Sequence, residues 1–338
     1  MRGIWALTRE YTVNLPLPDG PTMTDDARVE TVPDDLAGER LDRALARMFP
    51  EYSRTRLKDW LVEGFVTVNG GAMRPKDLVS GGETVRLQPQ TALSVTSQPE
   101  ALELEVVYED SHLMVVNKPP GLVVHPGAGN LRGTLMNGLL HRVPGLADLP
   151  RAGIVHRLDK DTSGLLLIGK TLAAHTALVR QMSAREISRH YVAVCTGVLT
   201  GGGTIDAPIA RHPVDRLRMS VQDGGKPAVT HYRVRKRFAA HTYISVRLES
   251  GRTHQIRVHL AWRRHPLVGD PVYGGRLAVP AGAGAHLQEV LRSFRRQALH
   301  ASQLQFRHPE SGEPVTFEAA VPADLEMLLQ ALEQDCAP

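Results

Sequence analysis

The stretch His156-Arg157-Leu158-Asp159-Lys160-Asp161-Thr162-Ser163-Gly164, followed at once by the apolar run Leu165 to Ile168, decides how this chain is read. A carboxylate on a turn, with charges and hydroxyls on both sides and a buried-type strand after it, is how a chain holds a reactive acid at the edge of a sheet. Asp159 is therefore the candidate centre. The same composition also describes an ordinary turn, in which Asp161 or Ser163 bonds its own backbone. A second constellation downstream, Gly251-Arg252-Thr253-His254-Gln255-Ile256-Arg257-Val258-His259, favours the reactive reading. There a Gly-led turn enters a short amphipathic segment carrying Arg252 and Arg257, cations able to hold Asp159 ionised.

Working outward, a chain of 338 residues with 42% apolar content has room for two domains with cores of their own. A net charge of +4 permits an anionic partner without demanding one, so any RNA surface must come from local clusters of Arg and Lys. Cys195 and Cys336 are the only cysteines, which excludes a disulfide framework and a four-thiolate zinc site. His254 and His259 miss the spacing of a metal-binding HExxH helix, and no metal is expected. No apolar run approaches the ~20 residues needed to span a bilayer. Gly3 to Leu7 is too short for a signal-peptide core. The expected home is a reducing one, the cytoplasm, away from membranes.

Residues 1–28 are broken by Pro16, Pro18, Gly20 and Pro21 and are expected to lack stable structure. Met23 begins a sequence that runs smoothly into the first domain, so the residues before it read as an upstream extension or a mis-assigned start. Over residues 29–90, Leu41, Ala44, Leu45 and Met48 repeat as one helical face, with Arg40, Arg43 and Arg47 opposite. Ser53 is a candidate N-cap for a second helix that turns Leu57, Trp60 and Leu61 inward and Arg54, Arg56 and Lys58 outward, ending at Gly64. Phe65 to Val68, the hairpin signal Asn69-Gly70, the Gly81-Gly82 turn and Thr84 to Leu87 complete a helix pair on a β-hairpin. The polar residues 91–102 read as a linker.

In residues 103–335, strands are expected at Val106 to Tyr108, Leu113 to Val116, Leu122 to Val124, Tyr191 to Cys195, Val229 to Val234, Tyr243 to Leu248, Leu304 to Phe306 and Val315 to Ala319. Helices are expected around Ala174, Leu178 and Met182, at Leu287 to Leu291 and at Leu325 to Leu332. Many strands with few scattered helices argue for an α+β fold on a mainly antiparallel, mixed sheet.

Taken together, HRLDKDTSGLL, Tyr191 in the strand that follows, GRTHQIRVH, the run His265 to Gly274 and the earlier Asn117-Lys118-Pro119-Pro120-Gly121 carry a resemblance. Their order is that of RluA-type pseudouridine synthases, and Leu41 to Leu87 resembles the S4 RNA-binding module that many of these enzymes carry in front. The likeness spans residues 28–330. It implies a pseudouridine synthase catalytic domain behind a small S4-like α/β domain. The implied activity is isomerisation of uridines in large-subunit ribosomal RNA, within an assembling 50S-type subunit, by a monomer without a cofactor.

The resemblance assigns roles residue by residue. Asp159 attacks the ribose C1′ or abstracts a proton beside it, and Arg257 neutralises it. Tyr191 stacks on the base and accepts the C5 proton. Leu158, Leu165 and Leu166 wall out water. Arg157 is a wedge or phosphate clamp, with an ion pair to Asp161 as its plain alternative. Lys118 is a candidate phosphate contact. His156 bonds backbone near the turn, while Arg252, His254 and Gln255 line the substrate pocket. Asp270 and Tyr273 close the site structurally. Arg43, Arg54, Arg56 and Lys58 meet phosphates from the first domain. Two other readings stay open: a catalytically inactive, ribosome-associated RNA binder, and a hydrolase that releases free uracil.

Overall fold

The computed structural model describes residues 27–50, 52, 54–89, 98–127, 129–277 and 279–335. The extension over residues 1–26, the Ser53 cap, the side chain of Arg56 and residues 90–97 of the polar stretch lie outside that description. The chain divides into two units, residues 1–96 and 97–338. Among the described residues no helix is long and apolar enough to cross a membrane.

In the first unit β1 (Arg28–Thr31), α1 (Leu41–Met48), α2 (Arg54–Val62), β2 (Val66–Val68) and β3 (Thr84–Leu87) form two helices on an antiparallel sheet of order β1-β3-β2. The inward faces expected from periodicity are buried: Leu41, Ala44 and Leu45 from α1, and Leu57, Trp60 and Leu61 from α2. Gly64 ends α2 with φ at +85°, its N–H bonding Leu61 O while the N–H of Phe65 bonds Trp60 O. The sheet has a third strand beyond the expected hairpin. β1 is exposed at all four positions, so the alternation that betrays a strand is absent from Arg28-Val29-Glu30-Thr31.

The second unit opens with β4 (Glu105–Glu109), β5 (Leu113–Lys118) and α3 (Leu135–Arg142). β6 (Ser163–Gly169), α4 (Leu172–Ser183), β7 (Ser188–Thr196) and β8 (Gly203–Asp206) follow. The strands β9 (Ile209–Arg211) and β10 (Met219–Val221) form a separate hairpin. The unit closes with β11 (Val229–Arg237), β12 (His241–Leu248), α5 (Gln255–Trp262), α6 (Ala285–Ser293), β13 (Leu299–Arg307), β14 (Pro314–Glu318) and α7 (Ala323–Gln334). Nine strands make one mixed sheet of order β4-β5-β6-β13-β7-β12-β11-β8, with β14 also on β13. All its pairs are antiparallel except β6 with β13.

Alternation along β7 and β12 sends Tyr191, Ala193, Ile244 and Val246 to one face, where α3 and α5 add Leu135, Leu139, Ile256 and Leu260. The opposite face is covered by Leu178 of α4 and by α6 and α7. β6 lies between both cores, which is why Leu165 to Ile168 read as an unbroken apolar run.

Three expectations need correction. Leu122 to Val124 is not a strand; the carbonyls of Val123 and Val124 instead accept the N–H groups of Leu135 and Met136 at the start of α3. α3 itself was not expected, because Gly138 interrupts its pattern, yet a capping box between Thr134 and Asn137 starts it. The described end of the polar stretch already belongs to this unit, since Asn137 bonds Gln98 O and Glu100 N.

Candidate active site

Asp159 sits in the turn just before β6, and the polar residues around it are spent on pinning that turn to distant chain. The Thr162 hydroxyl accepts from Gln297, Ser163 pairs with the His300 ring at 3.0 Å, and Arg296 reaches the carbonyl of Asp161. Ser163 therefore does not serve a local turn closed on its own backbone; the run is built against β13 and the segment before it. Lys118 completes the brace. Only 1% exposed, it donates to the carbonyls of Pro119, Leu122 and Lys160, so it is a strut beneath the turn and not the expected phosphate contact. Burial pulls its pKa down to about 7, against the opposing charges of Asp161 and Asp159.

Across from the turn, α5 delivers Arg257. Its Nη1 donates to Asp159 Oδ2 at 3.0 Å, while Nε and Nη2 form a two-point pair with Asp270 at 2.7 and 2.9 Å. The Arg257 side chain is 5% exposed and that of Asp270 is 0% exposed. Burial alone would lower the arginine's pKa, but the bonds and charges of Asp270 and then Asp159 raise it above its ordinary value. Asp270 likewise feels burial first, yet Arg257 and the N–H groups of Tyr273 and Val272 hold its carboxyl below the usual range. The segment from Gln255 to Leu260 is buried throughout, not amphipathic as its sequence suggests.

His254 precedes α5 in a left-handed conformation, φ +57°. The Tyr273 hydroxyl accepts the Met219 N–H and pairs with His254 Nδ1 at 2.9 Å. Burial depresses the His254 pKa although Asp159 opposes it. Its Nε2 faces Asp159 Oδ1 at 3.9 Å. Tyr273 also lays its ring 5.1 Å from the guanidinium of Arg257.

These groups open on a cleft of about 800 Å³. Ile154, Leu158, Tyr191, Leu248, Ile256 and Leu299 supply its apolar wall, and Arg151, Arg157, Arg185, Arg189 and Arg252 its basic one. Tyr191 is buried, and that burial raises its phenol pKa, with Asp159 adding to the rise and Arg189 opposing it.

Several residues expected in this site do other work. Leu165 and Leu166 do not line the cleft; Leu165 points into the opposite core with Leu113 and Leu178. Gln255 spends its amide on Ser250, Arg252 N, Val229 O and Thr230, leaving nothing for RNA. Arg252 bonds Pro227 O, and of the two arginines only Arg257 reaches Asp159. His156 accepts the N–H of Leu167 in β6, and burial drives its pKa down to about 3, so it is a neutral packing group. Arg157 is exposed at the cleft and forms no pair with Asp161 among the described residues. In the first unit Arg54 is tied to the buried Asp42 at 2.6 Å, whereas Arg43 and Lys58 remain exposed. No group of three or more His, Cys, Asp or Glu among the described residues is placed to hold a metal ion.

Residues 112–262 match the family described as RNA pseudouridylate synthase, and residues 39–85 match the S4 domain. The chain is 56% identical over 310 residues to a protein of Xanthomonas campestris named ribosomal large subunit pseudouridine synthase D, covering 92% of this chain and 94% of that one. A Pseudomonas aeruginosa protein of the same name is 53% identical, covering 91% and 96%. Among solved structures, human RNA pseudouridylate synthase domain containing 4 shares the fold, with a TM-score of 0.54 at 23% identity over 68% of this chain and 93% of that one. The chain belongs to the RNA pseudouridylate synthase family.

Proposed function

We propose that this enzyme isomerises specific uridines of large-subunit ribosomal RNA to pseudouridine, with Asp159 as the group that acts on the ribose. The relatives named for that substrate support the choice of RNA. The observation that carries the mechanism is the Asp270–Arg257–Asp159 chain, in which a buried guanidinium fixed from behind presents one N–H to the working carboxylate at 3.0 Å.

In this reading the target uridine leaves its stack, at a cost of a few kcal/mol, and enters the cleft. Asp159 attacks C1′ or removes the neighbouring proton; either way the uracil detaches, turns and rejoins the ribose through C5. The wall formed by Leu158, Ile256 and Leu299 keeps water from the detached sugar. Tyr191 offers its ring to the base. Because its phenol is neutral at ordinary pH, taking the C5 proton requires that it give up its own in the same step, and stacking is the role its burial supports better. Arg157 at the cleft, and Arg43 and Lys58 on the first unit, supply phosphate contacts that add affinity without choosing the base.

The test is pseudouridine mapping of large-subunit RNA, free and in subunits, after incubation with wild type and with Asp159→Asn. Modification by the wild type that vanishes in the variant, while RNA binding persists, is the expected result. Binding without modification by either protein would mark an inactive binder, and free uracil would mark a hydrolase.

A further inference from the structure

The cleft holds a buried cation for which the mechanism above has no use. Arg189 lies on β7 two residues before Tyr191, on the same face of the strand, and is 8% exposed. Among the described residues no carboxylate or carbonyl takes any of its N–H groups, and its Nε is sealed from solvent without a partner. The nearby acids are engaged elsewhere: Asp159 with Arg257, and Glu249, on the cleft wall, with His231 at 2.6 Å and Arg185 at 3.4 Å. What surface Arg189 keeps lies in the wall of the cleft.

We propose that Arg189 is the seat of a backbone phosphate next to the target uridine. A buried guanidinium without a countercharge has lost hydration and gained nothing for it, so the free protein keeps it at a cost that an incoming anion offsets. In RNA the anions are phosphates, and the planar fork of arginine suits a phosphate's oxygens at two points. At Gly251, on the exposed rim, an added Cβ would stand 2.5 Å from Arg189 Nη1, so the rim's backbone lies directly against the guanidinium. A uracil stacked on Tyr191 brings its sugar and the adjoining phosphates along this rim.

The inference rests on RNA being the substrate, and its test measures binding, so that a failure of turnover cannot be mistaken for a failure of the seat. In the full-length Asp159→Asn protein, the affinity for a synthetic hairpin centred on the uridine that wild type modifies is measured against salt, with and without Arg189→Met. The variant is expected to bind about tenfold more weakly, with a salt slope smaller by about one. Its thermal midpoint should be no lower than the parent's, since it removes an unpaired buried charge. Replacing a phosphate beside that uridine by a neutral methylphosphonate should weaken the parent by the same factor and the variant no further. If the methionine protein does not fold, Arg189→Lys takes its place; it keeps the charge and the slope, and should lose affinity only where the phosphate is intact. A variant that binds like its parent overturns the seat. So does a loss that multiplies with the methylphosphonate loss at both flanking positions.

Discussion

Asp270 decides where Arg257 points, and through it what Asp159 faces. With Nε and Nη2 committed to Asp270, only Nη1 is left for Asp159, so among the described residues the Asp159 carboxylate receives one hydrogen bond, at Oδ2, while its Oδ1 faces His254 Nε2 at 3.9 Å. Removing the partner behind a buried arginine leaves a poorly compensated charge, so Asp270→Ala is expected to cost about 3–5 kcal/mol in urea melts. The same variant should lower kcat more than it raises KM, because it disturbs Asp159, the group proposed to react, and not the RNA surface. Lys118 permits a pH test at the same scale. The unfolded chain holds this lysine charged up to its ordinary pKa of 10.5, whereas the folded protein releases the proton near 7. Between those values the unfolded state binds more protons, so through this group stability rises as pH rises. The stability difference between wild type and Lys118→Met should therefore grow in favour of wild type from about pH 7 toward 10.5 in urea titrations.

At the level of elements, the site depends on one parallel contact in an otherwise antiparallel sheet. β6 and β13 meet only at Ser163 with His300 and at Gly164 with Ala301, and this brings the Asp159 turn against the segment that carries Gln297 and Arg296. Gly164 has φ at +113°, and a Cβ there would lie 2.2 Å from Ala301 O. Gly164→Ala must part the two strands, with an expected loss of about 1–3 kcal/mol by thermal or urea melting and a larger loss of activity than of RNA binding. α5 acts in a complementary way. By burying every residue from Gln255 to Leu260 it gives Arg257 little freedom to swing away from the turn.

For the whole molecule the relevant quantity is which cations remain free to meet RNA. A net charge of +4 says little, because many arginines are already paired within the protein, as Arg54 and Arg40 are with Asp42 and Arg47 is with Asp35 and Glu39. Arg43→Ala and Lys58→Ala are each expected to reduce the salt slope of RNA binding by about one, measured by titration at several salt concentrations. Arg54→Ala should instead appear as a loss of stability with little change in slope, since its partner is a buried carboxylate.

The α+β class, the helix pair ahead of the larger unit, most of the strands and the segments bearing Asp159, Tyr191 and Arg257 were legible from the sequence alone. Each is written in local pattern: period 3.6 in α1, alternation in β7 and β12, and contiguous motifs around the turn and α5. β1 and α3 were hidden because exposure and a central glycine erase such patterns. Partner choice was hidden for a different reason. Whether Lys118 meets phosphate or three carbonyls, whether Arg54 is free or tied to Asp42, and whether Arg257 is held by Asp270 are matters of distance between residues far apart in the chain. A residue type declares its charge and its hydrogen-bonding capacity, but only the packed sheet determines which groups use them, because burial makes every polar group take whatever partner lies within reach.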